Sequence, residues 1–218
     1  ASNSHPMLSL KVQIPFWICT LIWGTTWIVI RGQLGTVPPI WSVAYRFLIA
    51  GGVMFAYAAF SGQPLRLGKA GQRFAMLFGV AQFTFNFNFV YEAETHITSG
   101  LVAILFALLI VPNTLLGRLF LGQRVTARFA LGSVVAIAGI VLLFINEYRK
   151  TEASGDVLAG IALTLCGVLF ASGANVLQGT ERARSMPMAS MLAWGMFWGT
   201  LINAVFAWGT VGPPVVDW

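Results

Sequence analysis

The chain has 218 residues, of which 57% are hydrophobic and only 9% charged, and a formal net charge of +6. Soluble domains carry about 25% charged residues, so this composition excludes a water-facing surface and makes lipid the expected bulk solvent. The basic balance does not imply nucleic acid, because Lys and Arg sit in short groups between apolar runs rather than along one face. Cys19 and Cys166 both lie inside apolar runs, so no disulfide or metal framework is expected, and no cofactor.

A helix needs about 20 mostly apolar residues to cross a bilayer. Seven runs qualify, at 13–31, 40–60, 74–92, 98–121, 127–145, 156–178 and 188–210. The segments RGQLGTVPP, SGQPLRLGKAGQ, EAETH, GQRVTA, NEYRKTEASG and GTERARSMP separate them. The first run has no small-residue cleavage site and Arg31 follows it, so it reads as a span and not a signal peptide. Membrane β-strands would appear as alternating segments of about ten residues. Only FTFNFNF, residues 83–89, alternates, and inside a 19-residue apolar run it reads as helix.

At 100° per residue, Gln13, Trp17, Thr20, Gly24, Trp27 and Arg31 form one stripe on span 1. On span 2, Arg46 lies about two turns in, where it either snorkels to the outer interface or meets an anionic group of a substrate. Span 3 carries Gln82 and Asn86 on one face and Thr84, Asn88 and Tyr91 nearly opposite. A helix polar on both sides belongs inside a bundle, with one face on a cavity and the other bonded to neighbours.

Beyond it, Glu92, His96 and Ser99 are spaced like a carboxylate–His–Ser relay. Gly100 and a turn interrupt the helix that would align them, so they read as an outer hairpin with no catalytic residue. On span 4, Ser99 and Asn113 share a face, and Pro112 frees the Leu108 carbonyl, which makes either a gating kink or a simple bend. Gly132, Ala136 and Gly139 form a small-residue ridge on span 5, suited to close helix packing. Span 6 carries the stripe Thr164, Gly167, Ala171, Asn175 and Gln178.

Two segments repeat. LIWGTTWIVIRGQ (21–33) overlays VLFASGANVLQGT (168–180), which puts Thr25 over Ser172 and Cys19 over Cys166 at an offset of 147. At an offset of 148, PPIWSVAYRFLIAGG matches MPMASMLAWGMFWGT, with Pro39 over Pro187 and Gly51 over Gly199. A five-helix unit is odd-numbered, so its second copy runs inverted, an architecture of secondary transporters. The expected organisation is a first unit at 13–145, an outer linker at 146–155 and the first two helices of a second unit at 156–210. That makes an all-α polytopic membrane protein, an inverted repeat with seven of about ten helices present.

Orientation follows from basic residues in the loops. Lys11, Arg66, Lys69, Arg73, Arg118, Arg124, Arg128, Arg182 and Arg184 fall on one side, nine of the 13. Glu92, Glu94, Glu147, Glu152, Asp156 and Asp217 fall on the other, six of the seven acids. The N-terminus is therefore expected in the cytoplasm, in a multi-pass protein of the inner membrane.

LIWGTTW in span 1, PPIWSVAYRFLIAGG in span 2, and ITSGLVAILFALLIVPNTLLGRLFLGQRVTARFALGSVVAIAGIVLLF across spans 4 and 5 resemble the EamA-type drug/metabolite transporter superfamily. The resemblance covers nearly the whole chain. It implies a ten-helix, two-repeat carrier, often an exporter of amino acids, amines or other small metabolites. Where the family reads Gly-Glu after span 4, this chain reads Gly122-Gln123-Arg124.

The expected function is secondary-type export of a small organic metabolite, such as an amino acid or amine, by alternating access. Its cavity would use Thr20, Gly24, Trp27, Asn86, Asn88, Tyr91, Asn113, Ser172, Asn175 and Gln178, with Arg46 as a candidate anion contact. The absence of an acid deep in any span argues against proton or cation exchange. Expected partners are a small-molecule substrate and the lipid bilayer. A second copy, as a homodimer, would cover polar stripes left open where helices are missing. The rival readings are an intramembrane hydrolase built on Glu92, His96 and Ser99, and a membrane fragment or scaffold with no transport of its own.

Overall fold

Backbone polar groups in lipid must be satisfied within the chain, which favours one continuous helix per apolar run. The computed structural model describes residues 10–35, 37–150 and 154–215, which are helical with no strand among them. The helices are α1 (Leu10–Gln33), α2 (Pro39–Phe60), α3 (Gly68–His96), α4 (Ser99–Leu121), α5 (Ala127–Lys150), α6 (Ser154–Gln178) and α7 (Met188–Thr210). All seven are long and apolar enough to cross a membrane, and the protein is an all-α polytopic membrane protein. Proline opens α2 and α7, where a missing N–H costs nothing. Gly122 ends α4 in the left-handed region at φ +66°.

Three boundaries differ from the sequence reading. Helix α3 begins at Gly68 and runs through Glu92 and Glu94 to His96, so the acids ride its last turns and only Ile97 and Thr98 form the connection to α4. The Ile97 amide still donates to the Ala93 carbonyl at 3.0 Å, which keeps the helical ladder going past the charges. Most of the linker expected at 146–155 is helix, since α5 continues to Lys150 and α6 starts at Ser154; residues 151–153 lie outside the described residues. The Gly132 and Gly139 ridge of α5 has no neighbour within 4 Å of where a Cβ would stand, so it is not a packing seam among the described residues.

Helices α2 and α7 make the most extensive contact and run antiparallel. Trp41, near the start of α2, donates to the Gly212 carbonyl beyond α7 at 3.2 Å, and Trp194, near the start of α7, donates to the Leu65 carbonyl beyond α2 at 2.7 Å. Helices α3 and α6 form the centre, with 44% of their apolar stretches buried against 6% for α1 and α5. The peripheral pair exposes Leu21, Ile28, Leu131 and Leu142, as lipid-facing helices should. The core gathers Val43, Phe47, Phe78, Phe83, Val90 and Val102. At the α3–α7 crossing, a Cβ on Gly79 would collide with the Gly195 carbonyl, so this approach requires glycine.

Two helices are locally irregular. Residues Val80–Asn86 of α3 form a π-helix, and Ala107–Leu109 of α4 form a 3-10 turn. The 3-10 turn directly precedes Pro112, whose ring removes an N–H and crowds the Leu108 carbonyl.

Candidate functional site

The alternating segment 83–89 distributes its side chains to four different neighbours. Phe83 packs with Phe47 and Phe78, at centroid distances of 4.7 and 5.5 Å. Phe85 and Phe89 stack on Phe170 of α6, at 4.6 and 5.7 Å. Thr84 and Asn88 turn to α7: the Thr84 hydroxyl donates to the Gly199 carbonyl at 3.4 Å, and Asn88 Nδ2 donates to Asn203 Oδ1 at 2.8 Å. Asn86 and Phe87, with Gln82 one turn before Asn86, line a cavity between α1, α3, α4 and α6, with Arg46 of α2 reaching in.

That cavity has a volume of about 250 Å³. Its walls combine Trp23, Thr26, Trp27 and Ile30 from α1 with Phe87 and Val90 from α3, Phe106 and Leu109 from α4, and Ala171 and Asn175 from α6. Trp27 and Phe106 pack ring against ring at 5.4 Å. Asn175 Nδ2 donates to Asn113 Oδ1 at 3.4 Å, which ties α6 to α4 beside the cavity. Gln82 Oε1 and Asn86 Oδ1 are buried without a hydrogen-bond partner. Apolar walls with a few convergent polar atoms are the usual make-up of a small-molecule site. A larger cleft of about 510 Å³, lined by Pro38, Phe85, Phe89, Leu163, Ile202 and Phe206, is mainly apolar, with Glu92, Thr84 and Thr210 also at its wall. Its one amide, Asn88, is already bonded to Asn203 and to the Thr84 carbonyl.

Of the residues expected on a substrate cavity, Trp27, Asn86 and Asn175 meet on this one, with Arg46 beside them and Asn113 bonded at its edge. The others lie elsewhere. Thr20 and Gly24 face outward; the Thr20 hydroxyl is satisfied by the Phe16 carbonyl at 2.8 Å, so lipid exposure leaves no polar group unpaired. Asn88 belongs to the α7 contact. Ser172 is fully buried in the packing of α6, its hydroxyl without a partner. Gln178 does not line the cavity. Tyr91 is separated from Asn88: its hydroxyl donates to Gln33 Oε1 of α1 at 2.5 Å and accepts from Arg46 Nη1 of α2 at 3.4 Å. The face of α1 that meets the cavity is Trp23, Thr26, Trp27 and Ile30, an i, i+3, i+4, i+7 set. The aromatic pair within that set was the available signal, but a stripe chosen by small and polar residues lies to one side of it.

At the α3–α4 end, the relay spacing does not assemble. Ser99 Oγ donates to Glu94 Oε2 at 2.7 Å, while His96 lies 3.9 Å from Glu92 and 3.5 Å from Asp156. The hydroxyl and the imidazole thus have different partners, and no nucleophile–base pair forms. Glu94 is fully buried on α3, and its Oε1 has no partner. Arg31 Nη1 donates to the Glu94 backbone carbonyl at 2.6 Å. Glu94 is thus buried near the C-terminal end of α3, not deep in the span, and lies on a separate cleft with Arg31 and Thr95.

Residues 13–145 match the EamA-like transporter family. The chain is 27% identical over 148 residues to Protein PagO of Salmonella typhimurium, covering 68% of this chain and 49% of that protein. It is 25% identical over 144 residues to an uncharacterized transporter of Buchnera aphidicola, covering 66% and 48%. It is 20% identical over 209 residues to the uncharacterized transporter YoaV of Bacillus subtilis, covering 96% and 70%. The chain thus spans about half the length of the first two relatives. No solved structure matches.

Proposed function

Because this chain belongs to the EamA-like transporter family, we propose that it works as a secondary-type carrier that exports a small organic metabolite by alternating access. The observation that supports this reading is the cavity itself. It lies between helices from both sequence repeats, α1 and α6, and it combines aromatic walls with buried amide oxygens that have no partner. In a low-dielectric interior such atoms are costly unless a ligand answers them. The 3-10 turn of α4 contributes Leu109 to the wall, so the irregular turn of that helix borders the cavity. A cavity of this size takes a metabolite smaller than drug-sized ligands, whose pockets run from about 300 Å³ upward.

The cytoplasmic N-terminus, the inner membrane and the outward direction belong to the same proposal, and the basic bias of the loops supports the orientation. The deciding experiment is counterflow in proteoliposomes with a panel of labelled metabolites. Exchange of at least one solute, lost when Asn86→Leu closes the cavity, supports the reading. Correctly inserted protein that exchanges none of the panel would overturn it.

A further inference from the structure

The cavity carries a positive charge and no answering negative one. Arg46 forms no ion pair with any carboxylate among the described residues, where the ion pairs found both involve His96. Its guanidinium lies 5.0 Å from the centroid of Phe87 and 5.9 Å from that of Phe47, and its one hydrogen bond among the described residues, to the Tyr91 hydroxyl, is long at 3.4 Å. A guanidinium has five N–H donors in a planar fork that matches a carboxylate. Arg46 therefore has unused donors at the cavity wall, where no acidic side chain lies. The head of this half-buried arginine lies over the Phe87 and Phe47 rings at the cavity wall.

A second observation points to a ligand from the same direction. Asn86 is 3% exposed and lines the cavity, and its Oδ1 has no partner; Gln82 Oε1 lacks one too. Both are acceptors for which none of the described residues supplies a donor. We propose that the cavity binds a small organic carboxylate, with Arg46 as its charge partner and the apolar body of the ligand against Trp27 and Phe87. A hydroxyl or amino group on the ligand would serve the Asn86 and Gln82 oxygens. A plain amine finds no counter-charge here. The inference rests on the reading of this cavity as the solute site, and its test separates the two.

The probes are benzoate, benzamide and benzylamine, one ring carrying a negative, a neutral and a positive group. Equilibrium binding of radiolabelled benzoate to the purified protein should be displaced by unlabelled benzoate and resisted by the other two at equal excess. Arg46→Gln should weaken benzoate about tenfold or more, as loss of a charge-assisted bond does, and Arg46→Lys should restore part of it. Failure of benzoate to bind, equal displacement by benzamide or benzylamine, or unchanged binding in Arg46→Gln overturns the proposal. Where Arg46→Gln yields no folded protein, the wild-type selectivity together with Arg46→Lys decides. Flux of the same probes in proteoliposomes distinguishes the two readings. Selective benzoate binding without flux removes the transport reading and leaves the site, whereas flux of benzylamine alone keeps transport and removes the carboxylate.

Discussion

Asn203 shows how a polar side chain is accommodated in this bundle. It is fully buried, its Nδ2 donates to the Phe83 carbonyl at 3.0 Å, and its Oδ1 accepts from Asn88 at 2.8 Å. The Phe83 and Thr84 carbonyls belong to the π-segment, and each receives a side-chain amide. Asn203→Leu removes both bonds, so the Phe83 carbonyl loses its side-chain donor and Asn88 keeps only its bond to the Thr84 carbonyl. It should cost about 1–2 kcal/mol, the upper range for polar contacts between membrane helices, read as a lower Tm in detergent. The cavity residues separate in the same way. Asn175→Ala loses a wall group and the tie to Asn113 and should lower flux at unchanged membrane abundance, while Gln178→Ala, off the cavity, should leave flux at the wild-type level. Equal effects from the two would return Asn175 to a packing role.

At the scale of elements, α3 is the helix on which the site depends. Its π-segment inserts extra residues per turn and rotates the remainder of α3 relative to the part before Val80, while Asn86, on the cavity, and Asn88, on α7, point to nearly opposite faces. That geometry is held by close contact at Gly79, Gly195 and Gly199, where added methyl groups would meet the Gly195 carbonyl, Phe78 and Phe83 respectively. Gly79→Ala must push α3 from α7 and should destabilise by about 1–3 kcal/mol, the usual cost of overpacking, with a matching fall in Tm. Gly24→Ala on α1 meets open space and should change stability by less than about 0.5 kcal/mol. The contrast measures which glycines are packing contacts and which only line a lipid-facing helix.

For the whole molecule, the open question is orientation. Ser61 follows α2 and Thr95 lies on the last turn of α3, so they are exposed at opposite ends of the bundle. With Cys19 and Cys166 replaced by alanine, a membrane-impermeant thiol reagent on intact cells should label a cysteine at Thr95 and not one at Ser61. The reverse pattern would invert the topology and with it the outward direction of export. Helices α2 and α7, aligned by the sequence offset of 148, run antiparallel and make the most extensive helix contact.

Much of this molecule is legible in its sequence, and the reason is local. In lipid each span must satisfy its own backbone and present apolar side chains, so the number of helices and most of their limits follow from hydropathy alone, residue by residue. Proline at the start of α2 and α7 and Pro112 in α4 act within one turn, and they too can be read directly. Helix rotation is different. Whether Trp27 or Thr20 faces the cavity depends on how α1 lies against α3 and α4, and a Thr hydroxyl bonded to its own helix gives no hint of direction. The π-segment breaks the 3.6-residue count that sorts Tyr91 with Thr84, and Glu94 reads as a loop residue because nothing local shows α3 running on through it to His96. Which polar groups stay unpaired, and so could hold a solute, is a property of neighbours distant in sequence, and only the packed helices decided it.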